Sequence, residues 1–226
     1  MANWGNAVLT PFELRGQKRE ALLRQAALEF RKRGYHATSM DDIAAALGVT
    51  KGALYRYVKG KDEVLHHCFK QSEKIARAAI ERALAGGGTG AEQLRVFVTE
   101  FVREYLDSNF AGGAMIEIDA LLPHQREDVV AGRDGIDKAL KEMVRKGVAD
   151  GSISDGNRKF MILALMGSIN WMPNWYSPRG ELSSREIAEE TANIFLNGMR
   201  PRADGETPTV NVARSRNHKM KARSNI

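Results

Sequence analysis

A chain of 226 residues, 43% of them hydrophobic, has room for one large domain or for a small domain joined to a larger one. Its single cysteine, Cys68, excludes an internal disulfide and fits a reducing compartment. No signal peptide is visible over Met1–Gly16, and the longest apolar run, Phe160–Met166, is far short of the ~20 residues that span a bilayer, so a cytoplasmic protein without membrane contact is expected.

The net charge of +6 divides unevenly. Residues 15–65 carry 11 Lys/Arg against 6 Asp/Glu, residues 66–199 carry 16 against 19, and residues 200–226 carry 7 against 2. Two basic ends therefore flank a mildly acidic middle. The N-terminal unit has the sign that attraction to phosphate requires, although a solvated surface has the same composition.

Nearly everything reads as helix, with no alternating strand or two-residue hairpin signal, so the expected fold class is all-α. A first helix is expected from about Leu14 to Arg33, with Leu23, Ala26, Ala27 and Phe30 on one face and Gly34 to stop it. A short helix follows over Met40–Leu47, with Thr38 or Ser39 as N-cap and Asp41 and Asp42 in its first turn. Gly48 ends it, and Thr50 is placed to cap a third helix running to about Val58. A long fourth helix is expected over Lys61–Ala85, broken by Gly86–Gly90, with the chain restarting as helix over Ala91–Asp107. Further helices are expected at Ala114–Leu122, Gln125–Ala149 and Asn157–Ser177, and Ser183 with Glu186 forms a capping box for a last helix to about Met199. From Arg200 the apolar periodicity stops, and a disordered basic tail over 200–226 is expected.

The stretch Thr38–Tyr57 carries the clearest function. Two short helices meet at Gly48, and Ile43, Leu47, Val49, Leu54 and Val58 are spaced to pack together, with Val49 plugging the turn. Lys51, Gly52, Tyr55 and Arg56 are left facing outward, where the second helix of a helix-turn-helix enters the major groove. Gly52 permits close backbone approach to the sugar-phosphate, and the helix start at Thr50 offers N–H groups to a phosphate.

Residues 18–65 resemble the DNA-binding domain of the TetR family of repressors. The matching positions are Ala26-Ala27 with Phe30, Gly34-Tyr35, Thr38-Ser39, Asp42-Ile43-Ala44, Gly48 through Gly52, Leu54-Tyr55 and Lys61 ahead of Asp62-Glu63 and Leu65. The resemblance implies that Thr38, Thr50, Lys51, Tyr55, Tyr57 and Lys61 touch DNA, chiefly at phosphates, with Lys51, Gly52 and Arg56 nearest the bases; Ser39 completes the candidate set. Val58 departs from the pattern, where an aromatic is commoner, and Tyr35 is expected to be core packing. Lys59, beside the recognition helix, is either a phosphate contact or a solvated lysine.

The same resemblance implies a C-terminal helical domain that dimerises and holds an inducer. The domains expected are a 1–14 extension, a 15–60 helix-turn-helix domain, a 61–199 ligand-binding and dimerisation domain and the 200–226 tail. Residues 157–177 are apolar nearly all round, and Ile187, Thr191, Ile194, Phe195 and Gly198 form a stripe on the last helix. Phe160, Gly167, Ile187, Thr191, Ile194 and Phe195 are the candidate interface of a homodimer, a twofold reader of double-stranded operator DNA. The alternative is that both stripes pack within one protomer.

The segment Gly167–Pro178, with Asn170, Trp171, Pro173 and Trp175, is similar to the subgroup regulating fatty-acid and steroid catabolism, which implies an acyl-coenzyme A effector. Trp171 and Trp175 lie four apart on one helical face, and Asn170, Trp171, Trp175, Met115 and Phe101 form the candidate pocket. Arg133, Arg126 and Lys138 are candidate partners for such an effector's phosphates. A cationic or aromatic drug, as for a regulator of efflux, is the alternative, with Glu117 and Asp119 as candidate acids.

His66-His67-Cys68 invites a metal reading, but adjacent helical residues point roughly 100° apart and do not converge on one ion. No phosphate loop, catalytic triad or H-x-x-x-H pair is present, so neither an enzyme nor a cofactor is expected. An architectural DNA-binding protein without effector is a third reading. Arg214, Arg216, Lys219, Lys221 and Arg223 in the tail are candidates for nonspecific DNA attraction.

Overall fold

The structure, a computed structural model, describes residues 10–108 and 118–199, and all of its regular structure there is helical. Met115, Glu117 and the basic tail lie outside the described residues.

Helix α1 (Pro11–Arg33) starts three residues before the expected Leu14, so residues 11–14 belong to it rather than to an extension. Thr10 and Glu13 form a capping box, and Pro11 takes the first position, where its missing N–H costs nothing. Helix α2 (Met40–Leu47) is capped by Ser39, whose Oγ accepts from Asp42 N at 3.1 Å. Gly48 closes it at φ 65° and ψ 31°, a left-handed conformation that glycine adopts without steric cost. Helix α3 (Lys51–Leu54) is a single turn capped by Thr50, shorter than expected, but hydrogen bonds from Tyr57 N and Val58 N to Leu54 O continue the turn.

Helix α4 (Lys61–Ala85) joins two cores. Val64, Leu65, Cys68 and Phe69 pack with Leu23, Phe30, Ile43 and Leu54 of α1–α3, whereas Ala76, Ala79, Ile80 and Ala83 pack into the C-terminal core. The C-terminal unit comprises α5 (Gly90–Asp107), α6 (Pro123–Ala149), α7 (Arg158–Trp171) and α8 (Ser184–Met199). Helix α5 is its hub, packed against α4, α6 and α8. The expected helix at 114–122 is described only over 118–122, where Ile118–Ala120 form a short 3-10 turn.

Helix α7 ends at Trp171 rather than Ser177. Pro173 has no N–H to continue it, and Met172–Asn174 turn off as 3-10. Leu121, just before α6, and Val129, in its second turn, belong to the N-terminal core, so the two units share a packed junction. Among the described residues no helix is long and apolar enough to cross a membrane.

Candidate DNA-reading face and effector cavity

The exposed surface around α3 carries most of the expected DNA set. Ser39, Thr50, Lys51, Gly52, Tyr55 and Arg56 all stand in solvent, while Leu54 and Val58 turn inward to the core. Lys51 Nζ donates to Asp41 Oδ2 at 2.7 Å, and that contact holds the ammonium above its ordinary pKa. A side chain added at Gly52 would meet nothing within 4 Å, so the fold itself does not require glycine there.

Three residues of the expected set are less open than the rest. Thr38 is 1% exposed, with Oγ1 donating to the Gly34 carbonyl at 2.8 Å and the Glu29 carbonyl at 3.2 Å, and it clasps the end of α1 to the start of α2. Lys61 Nζ donates to the carbonyls of Tyr35 and Thr38 at 2.7 and 3.0 Å, and its charge lies over the Tyr35 ring. Tyr57 is half-buried against the N-terminal core. Val49, read as the plug of the turn, is 45% exposed.

Sequence reasoning missed Arg15 and Arg19. Their guanidinium groups donate from α1 to the carbonyls of Arg56 and Tyr57, both at 3.3 Å, and Arg19 also pairs with Glu63 at 3.0 Å. These arginines bond the carbonyls at the end of the recognition turn, as basic side chains do at helix C-termini. Partners 38 and 41 residues away leave no local signal.

A cavity of about 320 Å³ opens between α4, α5, α6 and α7. Its walls are mostly apolar: Phe69 and Ala76 from α4, Phe101 from α5, Val129 and Leu140 from α6, and Ile162 and Met166 from α7. Into it face Ser72, Asn170, Arg133 and two acids, Glu73 and Asp137. Ser72 Oγ and Asn170 Oδ1 are buried with no hydrogen-bond partner among the described residues, a state that costs free energy unless something fills it. Arg133 lies 5.2 Å from the centroid of the Phe69 ring, and burial pulls its pKa down. Burial pushes the Glu73 carboxyl up, but hydrogen bonds from Lys70 at 2.6 Å and Arg77 at 2.8 Å outweigh it, and Glu73 stays below the usual range.

Phe101 and Asn170 therefore line the cavity as expected, but Trp171 and Trp175 do not. They are 58% and 53% exposed on the outside of the protomer. Asn170 and Trp171 are adjacent on one helix, about 100° apart, so they cannot both face inward. Of the three candidate cations, Arg133 is in the cavity, Lys138 lies outside it, and Arg126 pairs with Asp119 at 2.7 Å away from it.

The dimer stripe divides in the same way. Ile187 and Thr191 are buried inside the protomer, Thr191 Oγ1 donating to Ile187 O, and Phe195 is half-buried against the same core. Phe160 and Ile194, each 68% exposed, and the exposed Gly167 remain on the outer face of α7 and α8. Cys68 is buried and its thiol is pushed up to about 12, so it stays protonated and unreactive at neutral pH. Among the described residues no cluster of His, Cys, Asp or Glu could hold a metal ion.

A small helical head with a solvent-facing recognition turn, joined by one long helix to a helical body with a cavity, defines a helix-turn-helix DNA-binding regulator rather than an enzyme. Residues 22–68 match the family described as bacterial regulatory proteins, tetR family, and residues 87–199 match the tetracyclin repressor-like C-terminal domain. The chain belongs to the TetR family of transcriptional regulators.

It is 25% identical to the transcriptional repressor KstR2 of Mycolicibacterium smegmatis over 187 residues, 80% of this chain and 90% of that one. The TetR family regulator PfmR of Thermus thermophilus is 31% identical, with a TM-score of 0.70 over 80% of this chain and 99% of its own. AibR, solved in complex with isovaleryl coenzyme A and operator DNA, shares the fold at 23% identity and a TM-score of 0.65, over 78% of this chain and 97% of its own.

Proposed function

We propose that the chain is a homodimeric repressor of the cytoplasm, released from a roughly palindromic operator by an amphipathic effector that enters the cavity. The observation that carries this is a shared wall. Phe69 and Val129 line the cavity and are also core residues of the DNA-reading head. A ligand that moves either side chain changes the packing on which the head's position rests, which makes the two sites energetically coupled and reciprocal.

Two protomers would place their α3 turns in successive major grooves, with Lys51, Gly52, Tyr55 and Arg56 reading and Ser39 and Thr50 beside the backbone. The outer face of α7 and α8, with Phe160, Gly167, Trp171 and Ile194, supplies a self-complementary apolar surface for the twofold interface.

An acyl thioester of coenzyme A is the effector class that the cavity suits. Its apolar walls take an acyl chain, Asn170 Oδ1 accepts from an amide or hydroxyl, and Arg133 offers a cation. The isovaleryl coenzyme A held by AibR, which shares the fold, points the same way. A cationic drug fits less well, because Glu73 and Asp137 are already paired with Lys70, Arg77 and Lys141.

The test is operator release followed by fluorescence anisotropy across acyl-coenzyme A chain lengths and a panel of cationic drugs. Asn170→Leu should abolish release while leaving operator binding intact. Release by the drugs alone would overturn the effector class, and a Ser72→Val, Asn170→Leu protein that responds like wild type would overturn the cavity.

A further inference from the structure

A second feature borders the cavity. Between α6 and the first turn of α7 lies a surface cleft walled by Lys138, Lys141, Arg145, Arg158 and Lys159, with Asp137 and Glu142 as its acids. Lys141 pairs with Asp137 and Arg145 with Glu142, while Lys138, Arg158 and Lys159 make no ion pair among the described residues. Residues 66–199 as a whole carry more acids than bases, so this concentration of cations runs against the composition around it.

The position of two of them adds to the repulsion. Arg158 and Lys159 occupy the first turn of α7, which has no acid, and a helix N-terminus already carries positive partial charge. Cations there are unfavourable unless an anion sits among them. Asn157 Oδ1 caps Phe160 N–H at 3.1 Å, and the side chains of Arg158 and Lys159 line the same cleft as Lys138, Lys141 and Arg145 of α6.

Asp137 borders both the cleft and the cavity, and Ile162 and Leu163 of the cavity wall lie one helical turn, about 6 Å, beyond Arg158 and Lys159. DNA is not the occupant. Lys138 stands nine residues beyond Val129, the α6 residue packed into the reading head, about 14 Å further along the helix.

We propose that this cleft seats the phosphate groups of the effector whose apolar part fills the cavity. The inference rests on the effector reading above, and it specifies an anionic, phosphate-bearing head joined to an apolar chain. A coenzyme A thioester and a simple lipid phosphate share that chemistry.

Calorimetric titration of the full-length protein tests it with three probes: lauroyl-coenzyme A, S-lauroyl-pantetheine (the same thioester without phosphates) and dodecyl phosphate. In the Lys138→Gln, Arg158→Gln, Lys159→Gln variant, lauroyl-coenzyme A should bind about tenfold or more weakly and lose most of its salt dependence, because charge-assisted contacts to phosphate are removed. S-lauroyl-pantetheine should bind both proteins alike, and unchanged operator affinity should report an intact fold. Whichever phosphate-bearing probe binds wild type more tightly identifies the source. Equal affinity of wild type and variant for lauroyl-coenzyme A would overturn the cleft and leave the effector reading standing. Loss of S-lauroyl-pantetheine along with it would overturn the assignment to phosphate, and failure of all three probes on wild type would overturn both readings together.

Discussion

The Lys61 ammonium donates to the Tyr35 carbonyl at 2.7 Å and stands 4.2 Å from the centroid of the same residue's ring. The first turn of α4 is thereby fastened to the turn between α1 and α2, through Lys61 itself and through its second bond to the Thr38 carbonyl. Burial lowers the pKa of this lysine, in keeping with a group drawn into the protein surface. Lys61→Met should cost about 1–2 kcal/mol, the worth of two charge-assisted hydrogen bonds discounted for solvent. Chemical denaturation measures that loss. The slope of log operator affinity against log salt should stay at its wild-type value, because no phosphate contact is removed; a slope lower by about 1 would return Lys61 to the DNA interface.

Lys51 behaves differently because its partner is a competitor. Asp41 holds the ammonium at 2.7 Å in the absence of DNA, and both side chains are exposed. Lys51→Ala should weaken operator binding about tenfold and lower the salt slope by about 1. Asp41→Asn should tighten binding about two- to threefold at low salt, since it releases Lys51 and removes a charge that repels phosphate. Gly52→Ala should leave the melting temperature unchanged or slightly raised, since an added Cβ meets nothing and alanine favours helix, and should weaken DNA binding if the backbone there meets the sugar-phosphate.

His67 makes stability depend on pH. Half-buried on α4 and 3.0 Å from Gln71 Nε2, it has its pKa lowered from 6.5 by burial and by Arg19, with Glu20 opposing. The folded state therefore binds fewer protons than the unfolded chain just below pH 6.5. The stabilisation is complete above pH 6.5 and is lost as pH falls through the lower folded value. The lowered carboxyls Asp42 and Asp128 start from 3.8, so their losses fall at lower pH. The melting temperature should drop as pH falls below 6.5 in wild type and much less in His67→Gln.

The helices were legible because their signals are local. Ser39 with Asp42, Gly48, Thr50, and Ser183 with Glu186 act within three or four residues, and each stands where its spacing places it. The exposure of Lys51, Gly52, Tyr55 and Arg56 was legible for the same reason, since they sit on one short turn whose inward positions are Leu54 and Val58. The intramolecular bonds of Thr38 and Lys61 were not legible, because their partners depend on how α1, α2 and α4 meet. In α7 the apolar residues run all round the helix, so no period says which face is inward. Packing decides it: Ile162, Met166 and Asn170 face the cavity, while Phe160, Gly167 and Trp171 face out. Aromatic content drew attention to Trp171 and Trp175, yet aromatics serve an interface as readily as a pocket.

That division of α7 leads to a prediction about assembly. Phe160 and Trp171 of α7 and Ile194 of α8 leave large apolar side chains in water, while Ile187 and Thr191 already satisfy the protomer's own core. Isolated exposed apolar residues are ordinary, but Phe160, Gly167 and Trp171 recur on one face of α7 at helical spacing, and such a clustered apolar face marks a contact surface. Ile194→Arg, at the exposed position of α8, should leave the protomer folded and yield monomer in sedimentation velocity at micromolar concentration. A monomer engages one half-site at a time, so operator affinity should fall by about 100-fold or more as the effective concentration of the second head is lost. Trp171→Ala should weaken the dimer in the same direction and leave ligand affinity unchanged. Ligand affinity lost with the dimer intact would place the indole in the cavity after all, and a dimer unchanged in both variants would move the interface off α7 and α8.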